Sequence, residues 1–229
     1  MTGPPYFPQN LEPDRHGLVA VGGRLDRDVL LEAYAKGIFP WEDNPVPFWF
    51  SPDPRMVLYP AEHRVPERLG RRIRRREMTV VFDTDFDAVI SGCAETPRPG
   101  QGGTWISPAF RAAYTDLFHE GYVHCISVLR DGALVGGLYG VSLGRAFFGE
   151  SMFSRATDAS KVAVYYLVAW CRHMGMAFVD CQAPTPHLES LGARSVPRRR
   201  FLAELSEAMR GPTLRGSWTE ASLSIASAR

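Results

Sequence analysis

Three apolar segments separated by tight turns constrain this chain most. HCISVLR runs into Asp131-Gly132, ALVGGLYGV runs into SLG, and RAFFGESMFS completes the series. Asp-Gly between apolar runs signals a two-residue hairpin, because both central positions take a positive φ. The series predicts three antiparallel strands, and such a sheet must be covered by other elements. Helices are predicted over residues 85–94, 107–120 and 158–174. The second has Ser107 as cap, Pro108 in its first turn and Gly121 at its end, and the third stops at Gly175. Residues 79–82 and 178–182 read as further strands, and a last helix begins near Arg199. The fold class is α+β.

Three hairpin strands, a long helix and another strand follow the order of an acetyltransferase-like (GNAT-like) core. Such a core usually has a glycine-rich phosphate loop before the long helix. Here the loop reads FSRATDAS, without glycine, so backbone amides cannot closely approach a pyrophosphate. Acetyl-coenzyme A is therefore not the expected ligand. Proline marks off the N-terminal part: eleven of the 18 prolines occur by Pro66. The stretch from Trp41 to Pro60 alternates prolines with aromatics and is read as an ordered extended loop. Before it, Asp26 caps a short helix over residues 27–36, closed by Gly37. Residues 1–56 are assigned to a small N-terminal domain and 57–229 to the GNAT-like domain.

Net charge is +1, but its distribution is uneven. Of 26 basic residues only Lys36 and Lys161 are lysine, and seven arginines crowd between Arg64 and Arg76, opposed in that stretch only by Glu67. Val65, Leu69 and Ile73 give the segment one apolar helix stripe. Arg68, Arg72 and Arg76 are expected in one row, with Arg71 and Arg75 in another. A solvated helix face would look similar. The excess of guanidinium, which grips two phosphate oxygens at once, favours a polyanion.

Two strand segments carry polar groups in apolar surroundings. Glu150 sits in FFGESMFS, where strand parity would place it on one face with Met152. Asp180 and Gln182 in FVDCQ share a face, and the carboxylate is expected to accept from the amide NH2, aiming the amide oxygen outward. Singly, each could be a satisfied buried polar residue; together they suggest a site. Trp41 and Trp105 lie in loops rich in Pro or Gly and could stack on a base. The four cysteines form no CxxC pair, the histidines form no HExxH, and Ser151 is not in GxSxG, so neither a metal site nor a nucleophile elbow is signalled.

GIFPW, SPDPR, TWI, LVGGLYGV, GESMFS, ASK, DCQ and SLGA in this order resemble the bacterial leucyl/phenylalanyl-tRNA–protein transferases over residues 17–201. The resemblance implies transfer of leucine or phenylalanine, with methionine as a further donor, from aminoacyl-tRNA to proteins that begin with arginine or lysine. This creates an N-degron for proteolysis. It implies Asp180, Gln182 and Glu150 as catalytic residues. Leu138, Phe147 and Met152 would form the aminoacyl pocket, Trp41 and Trp105 would hold the terminal adenosine, and Arg68, Arg71, Arg72, Arg74, Arg75 and Arg76 the tRNA acceptor stem. No cofactor and no metal are implied, and the protein would be a monomer. The sequence departs from the family at Arg24, Cys125, Ser127, Leu129 and Leu138, and at Trp49–Phe50 where a tryptophan pair is common.

The donor ester is already activated, so the reaction needs only aminolysis, with Asp180 orienting Gln182 toward the amine. Two other readings remain open, an N-acetyltransferase of the GNAT type and a non-enzymatic RNA-binding module. No apolar run approaches the roughly 18 residues of a membrane span, and MTGPPYFPQN lacks a signal-peptide pattern, so a cytoplasmic protein is expected.

Overall fold

The computed structural model describes residues 6–8, 11–42, 46–96 and 104–220. The chain opens with β1 (Leu18–Val21), α1 (Arg27–Ala35), β2 (Phe39–Glu42) and β3 (Phe48–Phe50), and the strands form a small sheet in the order β1-β3-β2. Asp26 caps α1 by accepting from the Val29 amide at 3.1 Å. Gly37 turns the chain at φ +70, where a Cβ would lie 2.7 Å from Leu202. Only glycine fits both the conformation and the space.

β4 (Arg55–Leu58) leaves the small sheet and joins a second, larger one. The stretch expected as an extended loop therefore carries the end of β2 and all of β3 and β4. Its prolines preset the extended backbone that strands use, and Pro47, Pro52 and Pro54 fall between the strands, while Pro40 lies in the outermost strand of its sheet.

The chain continues through α2 (Glu67–Arg74), β5 (Thr79–Phe82), α3 (Phe86–Glu95), α4 (Pro108–His119), β6 (Val123–Arg130), β7 (Ala133–Leu143), β8 (Ala146–Ser154), α5 (Ala159–His173) and β9 (Phe178–Gln182). It then forms α6 (Pro186–Ser190), β10 (Arg194–Val196) and α7 (Arg198–Ala208). The seven-stranded sheet runs β10-β4-β9-β8-β7-β6-β5, antiparallel except where β9 returns alongside β8 after α5. This is the arrangement expected of an acetyltransferase-like core. Asp131 and Gly132 both take positive φ, as the hairpin between β6 and β7 requires. One face packs on α1, α3, α4 and α7, the other on α2 and α5.

Two irregularities open the sheet. β8 and β9 pair only from Ala146↔Phe178 to Phe148↔Asp180. Opposite β7, Gly149 faces Gly140 and Ser151 faces Tyr139, so Glu150 is the extra residue of a β-bulge. The bulge breaks the simple parity expected along this strand. Phe148 packs into the helical α1/α4 side, whereas Met152 packs on the α5 side.

Candidate active site

Where β8 and β9 part, a cavity of about 540 Å³ opens. Leu138 from β7, Phe147 and Met152 from β8, and Val164, Leu167 and Val168 from α5 make most of it apolar. Trp41, from the small sheet, and Trp105, just before α4, also line it. Trp41 is 38% exposed and rests edge-on against Phe50 at 5.5 Å, while Trp105 packs edge-on against Phe110 at 5.2 Å. All five residues expected to bind the donor thus lie around one space. Glu150 and Gln182 line it too.

The polar end of the cavity is a hydrogen-bonded chain. Gln182 Nε2 donates to Glu150 Oε1 at 2.9 Å. Tyr114 donates to Glu150 Oε2 at 2.7 Å, and the Tyr34 hydroxyl lies 2.7 Å from that of Tyr114. Burial pushes the Glu150 carboxyl up to about 7, although the two tyrosines hold it lower than burial alone would. The tyrosine hydroxyls are driven well above their usual range by burial and by the charge of Glu150, so they remain donors. Tyr34 on α1 and Tyr114 on α4 were missed by sequence reasoning: each reads as an apolar-face helix residue, with no signal of a partner 36 or more residues away.

Asp180 occupies a different position from the one expected. Its carboxylate does not accept from the Gln182 side chain. It accepts from the Gln182 backbone N–H at 2.9 Å and is gripped by Arg55, with Nε to Oδ1 at 2.8 Å and Nη2 to Oδ2 at 2.6 Å. The preceding backbone brings the Gln182 amide N–H onto Asp180, and the left-handed φ of +64 at Gln182 then carries its side chain in another direction. The side-chain partner of Gln182 is Glu150 instead, which leaves Gln182 Oε1 without a hydrogen bond among the described residues. Asp180 is fully buried and does not line the cavity.

Arg55 was also missed. Its Nη1 donates to Gly37 O at 3.1 Å, and its guanidinium lies between the rings of Phe39 at 4.8 Å and Phe201 at 4.5 Å. An arginine opening the apolar run RMVLY was the available clue, since a buried guanidinium requires an acidic partner.

The arginine segment forms α2 with Leu69 and Ile73 buried, as expected. Its charges are less free than the sequence suggests. Arg72 is half-buried, donates to Thr157 O at 2.6 Å and pairs with Glu77 and Asp158, fixing α2 to the turn before α5. Arg71 pairs with Glu67, and Arg75 lies 3.9 Å from Glu77. Arg76 leaves the expected row because it follows the helix at φ +53. Arg68, Arg74 and Arg76 are exposed and have no ion-pair partner among the described residues.

Among solved structures, a GCN5-related N-acetyltransferase from Kribbella flavida matches 72% of this chain and 58% of its own at 11% identity, with a TM-score of 0.40. That likeness is too loose to bear on function. Sequence relatives are far nearer. A leucyl/phenylalanyl-tRNA–protein transferase of Maridesulfovibrio salexigens is 52% identical over 216 residues, 93% of this chain and 90% of the relative. One from Aromatoleum aromaticum is 54% identical over 211 residues, 90% of this chain and 88% of the relative. The family model for the N-terminal domain of these enzymes matches residues 23–53, and that for leucyl/phenylalanyl-tRNA protein transferase matches residues 57–206. With its cavity, its aromatic flanks and these relatives taken together, the chain belongs to the leucyl/phenylalanyl-tRNA–protein transferase family.

Proposed function

We propose that this protein takes leucine or phenylalanine, and methionine as a further donor, from aminoacyl-tRNA and joins it to the N-terminus of proteins beginning with arginine or lysine, marking them for proteolysis. The observation that carries the reading is the Glu150–Gln182 hydrogen bond at the polar end of an apolar cavity that Trp41 and Trp105 flank. The aminoacyl side chain occupies the space beside Leu138, Phe147 and Met152. The terminal adenosine lies against the two tryptophans, and the exposed arginines of and beside α2 hold the acceptor stem.

In the reaction the acceptor's amine nitrogen bonds the ester carbonyl carbon. The bond from that carbon to the ribose oxygen breaks, and the ribose oxygen leaves with the proton that the attacking nitrogen sheds as the amide forms. Gln182 Oε1 accepts a hydrogen bond from the attacking amine and aims it. Glu150 receives the proton whose loss turns the acceptor's ammonium into the neutral amine before attack. An α-amine has a pKa of about 8, so an acid at about 7 accepts its proton at little cost. An ordinary carboxylate would face a cost on the order of 5 kcal/mol. Asp180 acts through the backbone of Gln182 and is a positioning residue in this reading. The apolar wall excludes water, which would otherwise hydrolyse the ester.

We place the division between the small N-terminal domain and the catalytic domain near residue 56, where β4 enters the large sheet, and read the protein as a cytoplasmic monomer. The test is direct: the protein is incubated with Phe-tRNA and one of two peptides, identical except that they begin with arginine or alanine. A phenylalanine-extended product, seen by mass spectrometry only with the arginine peptide, is the expected outcome. No extension of either peptide would overturn the reading.

A further inference from the structure

We propose that Trp218, in the C-terminal strap after α7, sets the donor preference of the cavity by backing Phe147. The proposal rests on the reading of the cavity as the aminoacyl pocket and adds a residue that lies outside it. The strap also lies beyond residue 206, where the match to the family model ends.

The strap is held down at several points. The Gly144 amide donates to Thr213 Oγ1 at 2.9 Å, and the Gly216 amide to Gly121 O at 3.3 Å. Arg215 donates to Glu120 O from Nη2 at 2.9 Å, with its guanidinium over the Tyr122 ring. A Cβ on Gly121 would stand 2.4 Å from the Gly216 nitrogen, so the strap seats only because residue 121 is glycine.

This path delivers Trp218, 5% exposed, into the core on the α2/α5 face of the large sheet. Its amide donates to Asp83 Oδ2 at 2.6 Å. Its indole stacks on the His124 ring at 3.6 Å and 5°, and His124 Nδ1 lies 2.8 Å from the same Asp83 oxygen. The other Asp83 oxygen accepts from the Cys125 amide at 2.8 Å. Asp83 therefore fixes both the backbone of Trp218 and the ring on which it rests. Among the described residues the indole's remaining aromatic neighbours are Trp170 and Phe147, each at 5.9 Å. Phe147 is shut off from solvent and closes the floor of the cavity beside Leu138. Interiors are close-packed, so the position of Phe147 depends on the ring behind it. A smaller residue at 218 leaves a void into which Phe147 can retreat, enlarging the floor. None of these contacts involves Glu150, Gln182 or Asp180, so the effect falls on donor fit and not on the chemical step.

The test measures kcat and KM of the full chain for Phe-tRNA and Leu-tRNA. For Trp218→Ala the ratio of kcat/KM for phenylalanine over leucine is expected to rise by at least about threefold, carried by KM. Trp218→Phe, which keeps an aromatic ring on His124, is expected to give a smaller shift in the same direction with the fold intact. A merely structural strap would lower turnover for both donors by a common factor, and an unchanged ratio in both variants overturns the proposal. Met152→Ala, measured alongside, separates the two levels. If it shifts the ratio while the Trp218 variants do not, Trp218 has no such role and the pocket reading stands. If it too leaves the ratio unchanged, the pocket reading fails and the Trp218 proposal fails with it.

Discussion

The guanidinium of Arg55 grips both carboxylate oxygens of Asp180, at 2.8 and 2.6 Å, and neither side chain is exposed at all. The pair ties together parts that are distant in sequence. Arg55 on β4 also holds Gly37 at the end of α1 and lies between Phe39 of the small sheet and Phe201 of α7. Asp180 in turn holds the backbone N–H of Gln182. An ion pair so deeply buried is a costly way to stabilise a core, since desolvation offsets much of the attraction. What the pair fixes is the backbone of Gln182, a left-handed residue whose side chain faces the cavity.

Breaking this pair from one side should be far worse than removing it whole. Arg55→Met leaves an unpaired carboxylate in the interior and should cost about 3–5 kcal/mol in urea unfolding. Adding Asp180→Asn should recover a large part of that loss, because no buried charge remains and the amide oxygen can still accept from Gln182 N–H. Transfer activity should return with stability. A double variant that is stable yet inactive would mean that the Asp180 carboxylate has a part in the chemistry beyond positioning.

Glu150→Gln should change the pH dependence of stability. The folded protein holds the Glu150 proton up to about pH 7, whereas the unfolded chain releases it near the ordinary value of 4.5. Between those values the folded state binds more protons, so stability falls as pH rises through this window. The glutamine variant lacks that loss. It should match the native protein in relative stability below pH 4.5 and gain on it by something on the order of 3 kcal/mol above pH 7. Thermal unfolding at intervals from pH 4 to 8 checks this; parallel curves for the two proteins would place the Glu150 pKa near its ordinary value.

The arginines of the α2 segment should divide into two kinds. Replacing Arg68, Arg74 and Arg76 by alanine should weaken tRNA binding and reduce the salt slope of log K by about 2–3, at roughly 0.7–0.9 per phosphate contact. Arg72→Ala should instead lower thermal stability, because it removes the bond to Thr157 O and the pairs with Glu77 and Asp158. An unchanged salt slope in the triple variant would move the acceptor-stem contact to another face.

The hairpin core and its helices were legible in the sequence because each carries its own local signal. Asp131-Gly132 fixes one turn, Ser107 and Pro108 start α4, and Gly175 stops α5; the structure has all three. Glu150 and Gln182 were legible as polar groups in apolar strands and Trp41 and Trp105 as loop aromatics, while Leu138, Phe147 and Met152 came only through family resemblance; the structure gathers them at one cavity. What was not legible is long-range pairing. β2 and β3 pair with each other, but β3 also needs β1, and β4 needs β9 and β10, which the proline-rich stretch itself does not announce. The bulge at Glu150 depends on register with β7, and no pattern within β8 announces it. For the same reason the partner of the Gln182 side chain was misassigned: Asp180 is near in sequence, but the positive φ of Gln182 turns its side chain toward Glu150.

The central claim is that Gln182, held by Glu150 and Asp180, aims the acceptor amine at the donor ester. The most direct measurement is steady-state transfer of phenylalanine from Phe-tRNA to an arginine-initiated peptide by the native protein and by Gln182→Ala. The expected result is a fall in kcat of about 10²-fold or more, with KM for Phe-tRNA within a small factor of native. Equal kcat in the two proteins would contradict the account.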